Sequence, residues 1–245
     1  MLSPCQDTSP PALGELHVWR DVSFRSAVEN MALDEALLDW TLATGSAAIR
    51  FYHWDHAART LGYFTRPTGS GDDGASGGQV RRFTGGGLVE HGEDLTFALT
   101  IPPRTGLALA DTATRYRQIH EALADALHEA GVPVIPVSPD SAASQGPCFA
   151  NPVPWDLLDP ISGAKLAGGA QRRSRGAVLH QGSVRLPAPL RSPEASWIAG
   201  FFHRLAASAR PLDEEVVGHL LFQSRDLVAS RYGDPAWNAG RGPLT

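Results

Sequence analysis

Two side chains in this sequence stand out as a candidate nucleophile and a candidate amine: Cys148 and, a short way downstream, Lys165. Lys165 is the one lysine in a chain that carries twenty arginines. Arg keeps its proton at accessible pH, whereas Lys is a compact ammonium that loses its proton readily on burial. A single lysine therefore reads either as a required amine or as a compositional accident, and its surroundings favour the amine. In Gly163-Ala164-Lys165-Leu166-Ala167-Gly168-Gly169-Ala170-Gln171 a glycine pair follows it, where the missing Cβ lets another group approach the backbone. Residues 165–173 and 177–186 flank Ser174-Arg175-Gly176, a hairpin turn by composition, so Lys165 is expected at the start of a hairpin strand. Cys148 follows Gly146-Pro147 on a polar stretch. A lone cysteine is commonly an inert small hydrophobe, but a nearby ammonium lowers its pKa and makes it a nucleophile.

The second candidate is Arg81-Arg82-Phe83-Thr84-Gly85-Gly86-Gly87-Leu88-Val89-Glu90-His91. Three glycines after a strand let successive N–H groups face a phosphate, carboxylate or carbonyl oxygen, and two arginines add fixed charge; the plain alternative is a hairpin turn. The stretch is neither a Walker A loop nor the GxGxxG of dinucleotide folds. Gly74-Ala75-Ser76-Gly77-Gly78 matches a nucleophile elbow in form only, with no apolar strand before it. His53 and His56 have no supporting ligand set, so no metal is expected. Arg172, Arg173 and Arg175 read as solvated, or as an attraction for an acidic partner.

The elements that must hold these residues follow from periodicity. Strands are expected at 16–20, 47–54, 59–64, 80–83, 88–91, 94–101 and 132–137, and helices at 27–42, 110–131, 193–207 and 213–231. In the first helix Leu33 and Leu37 mark the apolar face, while Asp34, Glu35 and Asp39 mark the wet side. Residues 68–79 and 138–147 are polar loops. Strand hairpins interrupted by long helices make an α+β fold, helices packed on a mainly antiparallel sheet. Residues 1–15 are expected as a disordered tail, 16–237 as a single catalytic domain and 238–245 as a frayed tail. The net charge of −5 excludes a generic nucleic-acid surface. Two cysteines in 245 residues exclude a disulfide framework, and no signal peptide or membrane span is apparent, so a cytoplasmic location is expected.

Three of these stretches carry a resemblance. The glycine stretch, the lysine hairpin with His180-Gln181-Gly182, and the early helix Asn30-Met31-Ala32-Leu33-Asp34-Glu35-Ala36-Leu37-Leu38 resemble, in this order, the biotin/lipoate protein ligase and transferase superfamily. The resemblance implies a mixed, largely antiparallel sheet backed by helices, and transfer of octanoyl, lipoyl or biotinyl groups to a lysine of an acceptor domain. It implies Lys165 as the active-site lysine. It also implies Arg82, Thr84, Gly85, Gly86, Gly87 and His91, with Gly168, Gly169, Ala170, Gln171, His180 and Gly182, as the acyl-binding residues. Gly146-Pro147-Cys148-Phe149, with Pro154-Trp155 and the hairpin, is similar to the cysteine loop of octanoyltransferases (lipoate-protein ligase A-like), and the chain ends before a ligase's accessory domain would be accommodated. Those transferases often carry an arginine where this chain has Gly87, and a third glycine is more ligase-like. The implied chemistry is octanoyl or lipoyl transfer through a Cys148 thioester with no cofactor. The donor would be acyl carrier protein or another carrier, and the acceptor a lipoyl domain of a 2-oxoacid dehydrogenase or the glycine cleavage H protein. Acidic carriers would suit Arg81, Arg82 and the arginines of the hairpin turn. Two alternatives stay open: a ligase using ATP and Mg, and a non-catalytic module that binds a lipoyl domain or acyl chain.

Overall fold

A computed structural model describes residues 11–66, 78–140 and 152–240. The first strand, β1 (Leu13–Arg25), starts three residues before the expected strand at 16–20, because Leu13 and Leu16 are both buried in the core. Helix α1 (Ala27–Thr44) opens with a capping box: Ser26 accepts the Glu29 N–H, and the Glu29 carboxylate returns to Ser26. Gly45, at φ +73°, closes it. Strand β2 (Ala47–Trp54) then runs parallel to β1, so α1 is a crossover helix lying over the sheet.

Strands β3 (Ala58–Leu61), β4 (Gln79–Arg81) and β5 (Leu88–His91) form a small sheet of their own in the order β4-β3-β5. Next come β6 (Leu95–Ile101), the short α2 (Gly106–Leu109) and the long α3 (Thr112–Glu129), whose N-cap is Asp111. Two short strands, β7 (Ile135–Pro136) and β8 (Leu157–Leu158), precede the hairpin of β9 (Lys165–Ser174) and β10 (Ala177–Val184). The chain ends through α4 (Ser196–Leu205), β11 (Ala206–Pro211), α5 (Glu214–Leu227) and α6 (Pro235–Ala239).

The large sheet has eight strands in the order β11-β1-β2-β6-β10-β9-β8-β7. Its joins to β1 are parallel and the others antiparallel, which is the mixed, largely antiparallel sheet expected. On one face α3 and α4 bury Leu123, Trp197 and Phe201 against Phe51 and Phe97, each worth roughly 1.5–3 kcal/mol. On the other, α1, the small sheet and the C-terminal segment bury Met31, Tyr52, Trp54, Leu179 and Trp237. No helix among the described residues is long and apolar enough to cross a membrane.

Four local expectations change. The strand at 132–137 shrinks to two exposed residues, since Pro133 and Pro136 cannot donate to a ladder. The helix at 193–207 stops at Leu205, and Ala206–Pro211 pairs with β1 as the edge strand β11. Asp34 and Glu35 are not on a wet side: both are buried, because α1 is covered by the sheet and by residues of the C-terminal segment. Asp34 accepts from Arg50, and Glu35 accepts from Arg231 and from Tyr232 Oη (2.6 Å). Asn238 is held rather than frayed, its Oδ1 accepting the Arg81 N–H at 2.8 Å.

Candidate active site

Lys165 begins β9 and folds back over Gly168. A Cβ on Gly168 would lie 2.3 Å from Lys165 Cε and 2.5 Å from Nζ, so only glycine leaves room for the amine there. Nζ donates to Asp156 Oδ2 at 2.7 Å, with both side chains buried. Asp156 also accepts the Val153 N–H (2.6 Å) and, on Oδ1, the Tyr116 hydroxyl (2.6 Å). Tyr116 Oη in turn accepts the Gly169 N–H at 2.7 Å, so that N–H is committed within the protein. Trp155, which precedes the carboxylate, holds φ at +72°, a strained value for a non-glycine residue of the kind found at functional sites. Sequence reasoning missed Asp156 and Tyr116. An acid beside Trp155, just upstream of the only lysine, was the available signal for Asp156; Tyr116 offers none.

Beside the lysine a half-open cleft lies between the large sheet and the small one. Its floor is a row of residues in register across four strands: Gly168 on β9, Ser183 on β10, Thr96 on β6 and Tyr52 on β2. Three strand spacings make this row about 14 Å long. At the far end Trp54 stacks on His91 at 4.0 Å, bridging the two sheets. The polar lining groups are tied into the protein rather than turned to the cavity. Thr96 and Ser183 donate to Asp94 Oδ2 (3.0 and 2.6 Å), Trp54 Nε1 donates to Thr96 (2.8 Å), and Tyr52 donates to Asp34 (2.8 Å). His91 sits between Asp94 (2.8 Å) and Thr60 (2.9 Å). Burial opposes the charge on Asp94, yet the adjacent His91 and the donated hydrogen bonds hold its carboxyl well below the usual range. What faces the cavity is largely carbon, suited to an apolar chain.

Residues 26–198 match the Lipoyl protein ligase A/B catalytic domain. The chain belongs to that family. Among its relatives, Octanoyltransferase LipM of Exiguobacterium sp. is 35% identical over 175 residues, covering 66% of this chain and 62% of the relative. Octanoyltransferase LipM of Symbiobacterium thermophilum is 34% identical over 185 residues, 69% and 65% of the two chains. The match thus spans less than two thirds of the length of these relatives. Among solved structures, a T. acidophilum protein with bound lipoic acid superimposes with a TM-score of 0.68 at 19% identity, over 93% of this chain and 99% of that one. Lipoate-protein ligase A with bound ATP gives 0.69 at 20% identity, over 94% and 99%. These structures share the fold.

Within this lipoyl protein ligase A/B domain, the residues singled out from sequence fall into three groups. Arg82, His91, Lys165, Gly168, Gly169, Ala170 and Gly182 line the cavity together. Thr84, Gly85, Gly86 and Gly87 lie outside that lining. Thr84 Oγ1 donates to Gln181 Oε1 (2.6 Å), Gln181 Nε2 donates to Asp34 (2.7 Å), and Asp34 shares the buried Arg50 with Asp21 and Asn30. Gly86, at φ +83°, turns its carbonyl to Thr65, and the Gly85 carbonyl takes Arg82. Gln171 and His180 sit behind the hairpin, toward α3: Arg115 donates to Gln171 Oε1 (2.8 Å), and Gln171 Nε2 donates to His180 Nδ1 (3.1 Å). Burial, with His120 and Arg115 nearby, pushes His180 well down, and burial pushes His120 down to about 4, so both rings are neutral at pH 7.

Arg81 and Arg82 cannot greet an acidic partner, contrary to expectation. Both are buried: Arg81 donates to the carbonyls of Gly62, Tyr63, Thr65, Trp237 and Asn238, and Arg82 to those of Thr60 and Gly85. They stitch the small sheet together, whereas Arg173 and Arg175 are exposed. Among the described residues no three or more His, Cys, Asp or Glu side chains gather to hold a metal. Cys148, Cys5 and the elbow-like Ser76 lie outside the described residues.

Proposed function

We propose that the protein is an octanoyltransferase. It carries an octanoyl group from acyl carrier protein, through a thioester on Cys148, to a lysine amine of a lipoyl domain such as those of 2-oxoacid dehydrogenases or the glycine cleavage H protein. The observation that carries this reading is Lys165, folded over Gly168 against Asp156 at one end of a carbon-lined cavity about 14 Å long. The octanoyltransferase relatives support the choice of acyl group.

Cys148 is five residues from Val153, whose N–H is bonded to Asp156, so chain length limits its distance from that bond to roughly 17 Å. The Lys165 ammonium favours the Cys148 thiolate. The thiolate attacks the donor thioester; a carbon–sulfur bond forms to Cys148 and the carrier leaves as a thiolate that takes up a proton. The acceptor amine then attacks the acyl-enzyme, an amide forms, and the proton lost by nitrogen restores the Cys148 thiol. Burying the chain along the cavity contributes about 0.8 kcal/mol per CH₂. No nucleotide or metal enters these steps.

The test is the intact mass of the protein after incubation with octanoyl-acyl carrier protein without ATP. One added octanoyl group, removed by hydroxylamine and lost in Cys148→Ala, is the expected result. No adduct there, but lipoyl transfer that needs ATP and Mg and survives Cys148→Ser, would replace the transferase with a ligase. Silence in both, with a lipoyl domain still bound, would leave a binding module.

A further inference from the structure

We infer that Tyr116 and Asp156 are positioning residues that set how firmly Lys165 holds its proton, Tyr116 acting through the carboxylate. The inference rests on the transferase reading only for what the amine does in the reaction.

The direction of each hydrogen bond is fixed by chemistry. The Gly169 N–H can only donate, so Tyr116 Oη is the acceptor of that bond and its own proton goes to Asp156 Oδ1. Asp156 is thus an acceptor on both oxygens, from Tyr116 on one and from Lys165 and Val153 on the other. Strand β8 pairs with β9 only at Lys165 and Ala167, and Tyr116 takes over the outer edge at Gly169. A purely structural tyrosine would need that bond alone. The second bond, to Asp156, connects α3 to the amine.

Among the described residues the neighbouring charged and titratable groups are engaged elsewhere. His120 stacks on Tyr116 at 4.0 Å and, with His180 beside it, is kept neutral by burial. Arg115 is turned to Gln171. Across the cavity Arg82 is turned to backbone carbonyls and His91 to Asp94. Asp156 is the carboxylate in contact with Nζ. A hydroxyl donating to a carboxylate spreads its charge and relaxes its hold on an adjacent ammonium; removing the carboxylate takes a counter-charge away from a buried ammonium. The two substitutions therefore act in opposite directions.

Because Lys165 is the one lysine, protein labelled with ¹³Cε-lysine gives a single side-chain resonance whose pH titration reads this amine directly. The midpoint in Asp156→Asn is expected to fall by at least about one pH unit, and that in Tyr116→Phe to rise by a few tenths. The alkaline limb of acyl-enzyme formation should follow the same two directions. Midpoints unmoved in both variants, or moved the same way, would overturn the inference; if Asp156→Asn does not fold, an unmoved Tyr116→Phe does so alone. Should the wild type accept no octanoyl group, the transferase reading falls while the resonance still decides the positioning role.

Discussion

Lowering the pH from 7.5 to 5 should cost the protein about 2 kcal/mol of stability through His120. Burial pushes this imidazole down to about 4, while in the unfolded chain it titrates near 6.5. Between those values the unfolded state binds the proton and the native state does not, so stability falls as pH falls; the contribution is intact above 6.5 and exhausted near 4. At pH 5 the ratio of binding polynomials, (1 + 10^1.5)/(1 + 10^−1), gives about 2 kcal/mol at RT ≈ 0.59 kcal/mol. His180, pushed well down by burial and by His120 and Arg115, acts in the same direction. Against a typical stability of about 5–15 kcal/mol the His120 contribution is a large share. Urea unfolding of the wild type and of His120→Leu at both pH values isolates one ring. His17 and His53, lowered by burial, and Asp94, held ionised, contribute equally to both chains and cancel in the difference. His120→Leu should lose about 2 kcal/mol less than the wild type on acidification. Equal losses would refute the assignment of a buried neutral His120.

Gly168→Ala places a methyl group 2.3 Å from Lys165 Cε and forces the amine to shift, and acyl-enzyme formation, followed by intact mass, should slow by at least about 100-fold; an undiminished rate would remove Lys165 from its place over Gly168. The 14 Å floor, less about 3.5 Å of contact distance at Trp54, holds about eight carbons at about 1.25 Å each. In Trp54→Ala decanoyl and dodecanoyl donors should gain at least about tenfold on octanoyl, and a chain-length profile like that of the wild type would show that the stack with His91 is not the end wall. Asp34→Ala strips the buried Arg50 of one of its two carboxylates and frees Gln181; urea unfolding should register a loss of about 3–5 kcal/mol, and a loss under about 1 kcal/mol would contradict the network.

The legible parts of this protein were those whose signals are local. The hairpin of Lys165 announces itself through strand runs and a turn tripeptide, and α1 through the apolar face marked by Leu33 and Leu37. What stayed hidden depends on partners far along the chain. Strand alternation sends His180 and Gln181 to opposite faces of β10, but only the small sheet, built from residues 58–91, makes one of those faces a cavity wall. Asp34 and Glu35 looked like a wet helical face because their partners, Arg50, Arg231 and Tyr232, come from other elements. Arg81 and Arg82 looked like surface charge, since a sequence cannot show that seven backbone carbonyls will surround them. Ala206-Ala207-Ser208-Ala209-Arg210-Pro211 has no alternation at all and becomes a strand only by lying beside β1.

That last pairing bears on how the chain is made. Leu13 meets Ala206, and Arg81 waits for Trp237 and Asn238, so both ends of the polypeptide close the same structure. A ribosome adding roughly 5–20 residues per second needs about 10–40 s to travel from the first of these residues to its partner. Through that interval β1 is an open margin of the sheet, with half of its peptide groups unclaimed and able to recruit a stranger. Synthesis speed and chaperone supply, more than the strength of the finished core, should therefore govern the yield of native protein in a cell, and the burden falls on the nascent chain rather than on the mature one.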